Sequence, residues 1–197
     1  MEYIIMAGGP ATRWNNYKNT TKHFAKIESE TIIQRIIRQL QENNINNISV
    51  TSNNPQYEFA GIKRNEMIYD SKMYNMFYYK ALDHEITFLY GDTFYPDSVM
   101  ERIINTKTDD ILFFGTEDSI VAIKVANYSK FKQYVEEMSD FNHGPAGWAL
   151  YRKINNLTEN STTASNFILI NDKIFNVNSP NDYEELIKYT KNKRIKL

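Results

Sequence analysis

The chain contains no cysteine. This absence excludes disulfide bonds, thiolate metal sites and cysteine nucleophiles together. The three histidines, His23, His84 and His143, are isolated from one another and make no zinc-binding spacing. The sequence therefore gives no indication of a zinc enzyme or of a cysteine-dependent one.

Long apolar runs and an excess of one charge are missing as well. No run approaches the length of a membrane span, and the start of the chain has neither the charged region nor the cleavage site of a signal peptide. With 23 basic and 24 acidic residues the net charge is −1, so the overall charge favours neither nucleic acid nor an anionic membrane as a partner. We expect a cytoplasmic protein that binds no nucleic acid and no membrane.

The composition is that of an ordinary globular protein. Hydrophobic residues make up 42% of the 197 residues and charged residues 24%. No internal repeat and no linker interrupts the chain. We expect one domain, residues 1–197, with a substantial core.

The first 26 residues carry the most informative pattern. The apolar run from Tyr3 to Met6 is typical of a strand buried on both faces. It stops at Gly8 and Gly9, which permit a sharp turn and leave backbone N–H groups uncovered. Four basic residues follow with no acidic residue among them: Arg13, Lys18, Lys22 and Lys26. A strand, a glycine turn and a cationic loop indicate a polyphosphate site. The alternative interpretation of the same sequence is a simple turn followed by solvated lysines.

The rest of the chain alternates between strand-like and helix-like segments. Strands are expected at 48–51, 67–69, 86–90, 111–114 and 120–125, and a hairpin at 167–175 with its turn at Asn171-Asp172. Helices are expected from Thr31, which has capping-box spacing to Gln34, at 73–82, 96–105 and 127–138, and from Ser179-Pro180 onward. Residues 148–151 fit either a strand or a helix start. This alternation predicts an α/β fold with a mostly parallel central sheet flanked by helices.

Asp92 is the best single candidate for a metal ligand. It follows the apolar strand 86–90 and Gly91, and open α/β sheets bind ligands beyond the carboxyl ends of their strands. Magnesium prefers one or two carboxylates together with phosphate oxygens and water, so one aspartate can suffice. The competing interpretation is an ordinary Gly-Asp turn.

The opening stretch resembles the nucleotide-binding signature of small-molecule nucleotidyltransferases, the enzymes that make NDP-sugars and related activated metabolites. The matching residues are Ile4–Gly9, Arg13 and Thr21–Phe24. The stretch is neither a Walker loop nor a dinucleotide fingerprint, because it lacks a Gly-Lys-Ser/Thr and three spaced glycines. Pro10 and Thr21 depart from the pattern, and Lys26 is the alternative to Lys22 as its lysine.

Three further stretches extend the resemblance. Gly91-Asp92 resembles the metal site of the family, and 175–182 resembles its last strand and helix, with Asn178 at the position of a second metal carboxylate. An asparagine can ligate a metal through its oxygen but adds no charge. Residues 69–76 resemble a segment of cholinephosphate and related cytidylyltransferases, or are simply helix core. The loop 142–148 either closes over an acceptor or is a surface connection.

The resemblance implies a GT-A-like, Rossmann-like fold and the transfer of NMP from an NTP to a phosphorylated small molecule, with release of pyrophosphate. It implies Mg²⁺ as cofactor, held by Asp92 and Asn178, and Lys22 and Arg13 as catalytic residues. The nucleotide-binding residues it implies are Ala7, Gly8, Gly9, Arg13 and Asn75. A glycosyltransferase that uses an NDP-sugar, and a catalytically weak nucleotide-binding regulator, are the alternatives. No feature of the chain predicts the base, the acceptor or the oligomeric state.

Overall fold

The computed structural model describes residues 1–9, 11–58, 61–77, 84–158 and 165–194. Pro10, and residues 78–82 of the helix expected at 73–82, lie outside these ranges. The chain forms two compact units, each built from three segments. The sheet unit comprises Met1–Gly8, Asn47–Leu89 and Asn105–Asn171; the helical unit comprises Gly9–Asn46, Tyr90–Ile104 and Asp172–Leu197.

The secondary structure alternates as the sequence predicts. The strands are β1 (Glu2–Met6), β2 (Lys26–Ile27), β3 (Glu30–Thr31), β4 (Ile48–Thr51), β5 (Lys63–Asn65), β6 (Ile86–Tyr90), β7 (Thr93–Phe94), β8 (Ile111–Gly115), β9 (Ile120–Val125), β10 (Phe167–Leu169) and β11 (Phe175–Asn176). The helices are α1 (Ile32–Glu42), α2 (Lys72–Phe77), α3 (Asp97–Asn105), α4 (Tyr128–Glu137), α5 (Ala146–Asn155) and α6 (Pro180–Arg194). No helix in the described ranges is both long and apolar enough to cross a bilayer.

The sheet unit is built on a seven-stranded sheet in the order β10-β8-β9-β6-β1-β4-β5. The pairs β1–β4, β4–β5 and β8–β10 are parallel, whereas β9 runs antiparallel to both β6 and β8. All five residues of β1 are buried, as its unbroken apolar run predicts for an interior strand. The predicted α/β fold with a mostly parallel sheet is confirmed.

Aromatic side chains attach the helices of the sheet unit to its sheet. Phe131 of α4 stacks on Phe88 of β6 with 5.5 Å between ring centroids, and Phe77 of α2 meets Phe88 edge-on at 5.5 Å. Tyr151 of α5 packs edge-on against Phe113 of β8 at 5.1 Å. These five rings are buried, and such aromatic pairs add to the free energy gained from apolar burial.

The helical unit contains α1, α3 and α6 with two short antiparallel ladders, β2–β3 and β7–β11. Helix α1 begins with the predicted capping box: Gln34 N–H donates to Thr31 Oγ1 at 3.3 Å, and Thr31 N–H donates to Gln34 Oε1 at 3.0 Å. The isoleucines of α1 and Leu40 are buried, as the helical spacing of apolar residues predicts.

Two expected elements are wrong. The third parallel strand is β5, not residues 67–69, because β5 takes the ladder beside β4 and Asn53 binds the segment that follows. Met67 N–H donates to Asn53 Oδ1 at 2.7 Å, and Asn53 Nδ2 donates to Met67 O at 3.0 Å. The hairpin at 167–175 does not form, because β10 pairs with β8 while β11 pairs with β7. Residues 148–151 are helical and lie within α5.

Replacing Thr31 by alanine removes one side of the capping box. We expect Thr31→Ala to lower the free energy of unfolding by about 1 kcal/mol, the usual cost of losing an N-cap hydroxyl. Urea denaturation measures this. Gln41→Ala, at an exposed position near the end of the same helix, is the matched control and should change stability far less. Equal losses in the two variants would contradict the assigned cap.

Candidate functional site

Lys22, the first of the two candidates for the signature lysine, is buried. It opens a short 3-10 turn, Lys22–Phe24, and only 6% of its surface is exposed. Lysine is rarely buried to this degree without an anionic partner. A buried lysine at this position therefore needs a partner of opposite charge, and Asp92 is that partner.

A carboxylate and an amide oxygen converge on the Lys22 ammonium. Lys22 Nζ lies 2.5 Å from Asp92 Oδ2 and donates a second hydrogen bond to Asn178 Oδ1 at 2.9 Å. The side chains of Lys22 and Asp92 are 7% and 14% exposed, so water screens the pair weakly. Removing either charge would leave the other buried without compensation, which is strongly destabilising. The three residues come from distant parts of the sequence, and all belong to the helical unit.

The Asp92 backbone is fixed by the β7–β11 ladder. Asp92 follows Gly91 at the end of β6, and its carbonyl accepts a hydrogen bond from Val177 N–H at 2.8 Å. One residue further on, Thr93 Oγ1 donates to Asn176 Oδ1 at 2.7 Å. The strand that leads to Asn178 is thus bound directly to the turn that carries Asp92.

The first turn of α6 fixes Asn178 from the other side. Asp182 Oδ2 accepts hydrogen bonds from Asn178 N–H at 2.9 Å and from Ser179 N–H at 2.8 Å. In return Asp182 N–H donates to Ser179 Oγ at 3.3 Å. A carboxylate at a helix N-terminus is also favoured by the helix dipole. The Ser-Pro-Asn-Asp motif, predicted only as a helix start, therefore also holds the backbone of a candidate site residue.

The loop that carries Lys22 is tied to the same helix. Tyr183 Oη donates to Lys26 O at 2.7 Å, and Tyr17 Oη donates to Glu184 Oε1 at 2.7 Å. Within the loop, the buried Trp14 donates from Nε1 to Thr20 O at 2.7 Å. Helix α6 thus positions both Asn178 and the Lys22 loop.

The buried groups around the pair are neutral at physiological pH. Burial lowers the pKa of His23 to about 4, the Asp92 charge opposes that shift, and the Lys22 charge adds to it. Burial raises the pKa of Tyr90 and of Tyr95, and the nearby Asp92 charge raises both further. Asp92 and Lys22 are therefore the charged members of this cluster, and their charges balance.

The oxygens around Lys22 are of the kind that magnesium prefers. No group of three or more His, Cys, Asp or Glu side chains that could hold a metal lies within the described ranges. What the site offers is one carboxylate and one amide oxygen directed at a single cationic point, now taken by the Lys22 ammonium. Magnesium commonly takes one or two protein oxygens and completes its shell with phosphate and water.

The other predicted residues of the helical unit lie at its surface. Arg13 is exposed and makes no hydrogen bond or ion pair within the described part of the chain. Gly9 is exposed too, and a Cβ placed on it would meet no described atom within 4 Å. Neither crowding nor a left-handed backbone requires glycine at this position.

In the sheet unit, two predicted residues are already engaged. Ala7 N–H donates to Thr51 O at 3.1 Å, which continues the β1–β4 ladder and uses the group predicted to contact nucleotide. Asn75 accepts a hydrogen bond from Tyr69 N–H at 3.1 Å and donates one to Tyr69 O at 2.6 Å. Its amide holds the preceding loop. A Cβ on Gly8 would meet the end of the flexible Met67 side chain, which would have to move to make room for it.

Two stretches that the sequence analysis treated separately meet in the sheet unit. Ser71 Oγ donates to Ser139 O at 2.5 Å, and Lys72 Nζ donates to Gly144 O at 2.5 Å. Lys72 N–H also donates to Asn142 Oδ1 at 3.2 Å. Hydrogen bonds therefore join the start of α2 and the residue before it to the loop that follows α4.

Comparison with known proteins finds matches in structure but none in sequence. No protein-family model matches the chain, and no curated protein matches its sequence. Solved structures do match. CTP:phosphocholine cytidylyltransferase from Streptococcus pneumoniae has a TM-score of 0.63 at 15% identity, covering 96% of this chain and 98% of that chain. The chain shares its fold.

Two further structures match over similar lengths. The inositol-1-phosphate CTP transferase from T. maritima has a TM-score of 0.65 at 13% identity, covering 93% of each chain. UDP-glucose pyrophosphorylase from Acinetobacter baumanii has a TM-score of 0.65 at 10% identity, covering 95% of this chain and 92% of that chain. The fold predicted from the resemblance to nucleotidyltransferases is confirmed.

The shifted pKa of His23 predicts a pH dependence of stability. The pKa of His23 in the folded protein, about 4, lies below the ordinary histidine value of 6.5, so the unfolded chain takes up the proton first. The contribution of neutral His23 to the free energy of unfolding is fully present above pH 6.5. It is lost as the pH falls toward 4, and the loss amounts to at most about 3 kcal/mol. Urea unfolding from pH 7 to 5 should therefore show a smaller loss in His23→Gln than in the wild type. The exposed His143→Gln is the control, and a His23→Gln profile parallel to the wild type would refute the assignment.

Proposed function

We propose that the protein is a nucleotidyltransferase that transfers NMP from an NTP to a phosphorylated small molecule and releases pyrophosphate. One observation carries the proposal. The signature lysine, the aspartate of Gly-Asp and the asparagine before the last helix, which the resemblance assigns to one site, converge on one buried point. The fold shared with three nucleotidyltransferases supports the same conclusion.

The proposed reaction needs no covalent nucleophile on the protein. An oxygen of the acceptor phosphate attacks the α-phosphorus of the NTP in line, a new P–O bond forms, and the bond to pyrophosphate breaks. Catalysis then consists of holding two anions together and stabilising the charge on the transferring group. Lys22 is proposed to supply a cation for that charge. Arg13, exposed and able to offer a planar fork of donors, is proposed to bind the leaving pyrophosphate.

Asp92 and Asn178 are the residues proposed to hold Mg²⁺. When bound, this ion would neutralise phosphate charge and withdraw electron density from the phosphorus. Of these two ligands only Asp92 is charged, so the protein alone would hold the ion weakly. This supports a metal that arrives with the nucleotide. We also propose that the chain is one domain, since each compact unit is assembled from three separate segments. A cytoplasmic location follows from the proposed use of NTPs.

A glycosyltransferase of similar fold is the second candidate, and the residues beside Asp92 disfavour it. Such enzymes usually carry Asp-x-Asp at the metal, whereas Asp92 is followed by Thr93 and Phe94. Both are buried in β7, and Thr93 is hydrogen-bonded to Asn176. This turn therefore presents no second carboxylate.

The direct test measures pyrophosphate release from the four NTPs with Mg²⁺ and a panel of acceptors: phosphocholine, inositol 1-phosphate and several sugar 1-phosphates. Turnover with one pair and its loss in Asp92→Asn support the proposal. Nucleotide binding without turnover on any acceptor indicates the regulator. Transfer from an NDP-sugar, with no pyrophosphate released, indicates the glycosyltransferase.

The Lys22 ammonium should act mainly in the transition state. Lys22→Ala is expected to lower kcat roughly a hundredfold or more, the scale of losing one preorganised electrostatic donor, with a smaller change in nucleotide affinity. Lys26→Ala, at an exposed position four residues on, is the matched control. A crippled Lys26→Ala beside a near-normal Lys22→Ala would show that Lys26 is the signature lysine.

Arg13 should act on the leaving pyrophosphate through its planar guanidinium. Arg13→Lys keeps the charge but loses the paired donors that grip two oxygens, so we expect substantially impaired pyrophosphate release. Steady-state kinetics with the preferred NTP measure this. Near wild-type kinetics would assign Arg13 a distant, screening role.

A further inference from the structure

The Lys22 ammonium occupies the oxygens that a metal would need. It takes Asp92 Oδ2 at 2.5 Å and Asn178 Oδ1 at 2.9 Å. An ion bound to both oxygens would compete with the ammonium for them.

A divalent cation and the ammonium cannot share this position. Like charges at a few ångströms repel strongly where water is scarce, and the side chains of Lys22 and Asp92 are both largely buried. One carboxylate balances one ammonium, so an added ion would leave a net excess of positive charge. Metal alone would also have to expel a buried ammonium and leave it without its anion.

We propose that Lys22 is the resident cation of the Asp92–Asn178 oxygen pair and that a divalent cation displaces it. The inference rests on the proposed function for the identity of the entering ion. Lysine is suited to such an exchange, because its charge sits on a flexible four-carbon stem. The turn at its base stays anchored, since His23 is buried and Tyr183 binds the Lys26 carbonyl.

This exchange couples the metal to the nucleotide. A nucleotide brings phosphate oxygens that give the displaced ammonium a new partner at the moment the metal takes its old one. Metal without nucleotide offers no such partner. The free protein therefore binds divalent cations weakly, and Lys22 is one cause of that weakness.

Binding of Mn²⁺ to the nucleotide-free protein tests the exchange. Mn²⁺ also prefers oxygen ligands. Its binding is measured by the decrease of the electron paramagnetic resonance signal of the free ion. Lys22→Met keeps the length and apolar stem of the side chain while removing the charge. Since one repelling charge is gone, Lys22→Met should bind Mn²⁺ at least about tenfold more tightly than the wild type. Lys26→Met is the control and should match the wild type.

If Lys22 served only to bind phosphate, its replacement would not raise the affinity for metal alone, so the sign of the effect is diagnostic. Adding Asp92→Asn to Lys22→Met should abolish the gain. Lys22→Gln, which keeps a hydrogen-bond donor, is the second neutral variant should Lys22→Met fail to fold, and it should gain affinity as well. Unchanged or weaker Mn²⁺ binding in the folded neutral variants overturns the proposal.

The pyrophosphate assay separates this inference from the proposed function. Wild-type turnover with no gain in the neutral variants would refute the exchange and leave the function standing. A gain in Mn²⁺ affinity, with no wild-type turnover on any acceptor, would support the exchange and refute the function.

Discussion

The buried ion pair between Lys22 and Asp92 is the interaction on which the candidate site depends. Neither charge is stable at this depth alone, so the pair forces the signature loop and the Gly-Asp turn together. The surrounding hydrogen bonds serve the same arrangement: the β7–β11 ladder holds the turn, and Asp182 holds Asn178. Helix α6 also binds the loop through Tyr183. Three chain segments thus fix one ammonium in place.

Much of the fold follows from local sequence patterns. The apolar run of β1 and the capping box at Thr31 are local signals, and both elements form as the sequence predicts. The errors arise where the outcome depends on a distant partner. Residues 67–69 have the composition of a strand, yet β5 takes the place beside β4. The predicted hairpin fails for the same reason, because its two arms find different strands.

The candidate site shows the same division. The motifs placed Lys22, Asp92 and Asn178 among the important residues, but no local pattern indicated that the lysine would bind the other two directly. The spacing of Ser179 and Asp182 was visible as a helix start, while its hold on Asn178 depends on how β11 enters the helix. For Ala7 and Asn75 the hydrogen-bonding partners, Thr51 and Tyr69, become evident only in the folded chain. Sequence reveals which residue types are available, and folding decides which of them are already engaged.

We propose that the oxygens of Asp92 and Asn178 receive a metal together with a nucleotide. The most direct measurement is calorimetric titration of the preferred NTP into the wild-type protein and into Asp92→Asn, with and without Mg²⁺. Mg²⁺ and nucleotide should strongly tighten each other's binding in the wild type, and this coupling should disappear in Asp92→Asn. Equal coupling in both proteins, or tight Mg²⁺ binding by the free wild type, would contradict it.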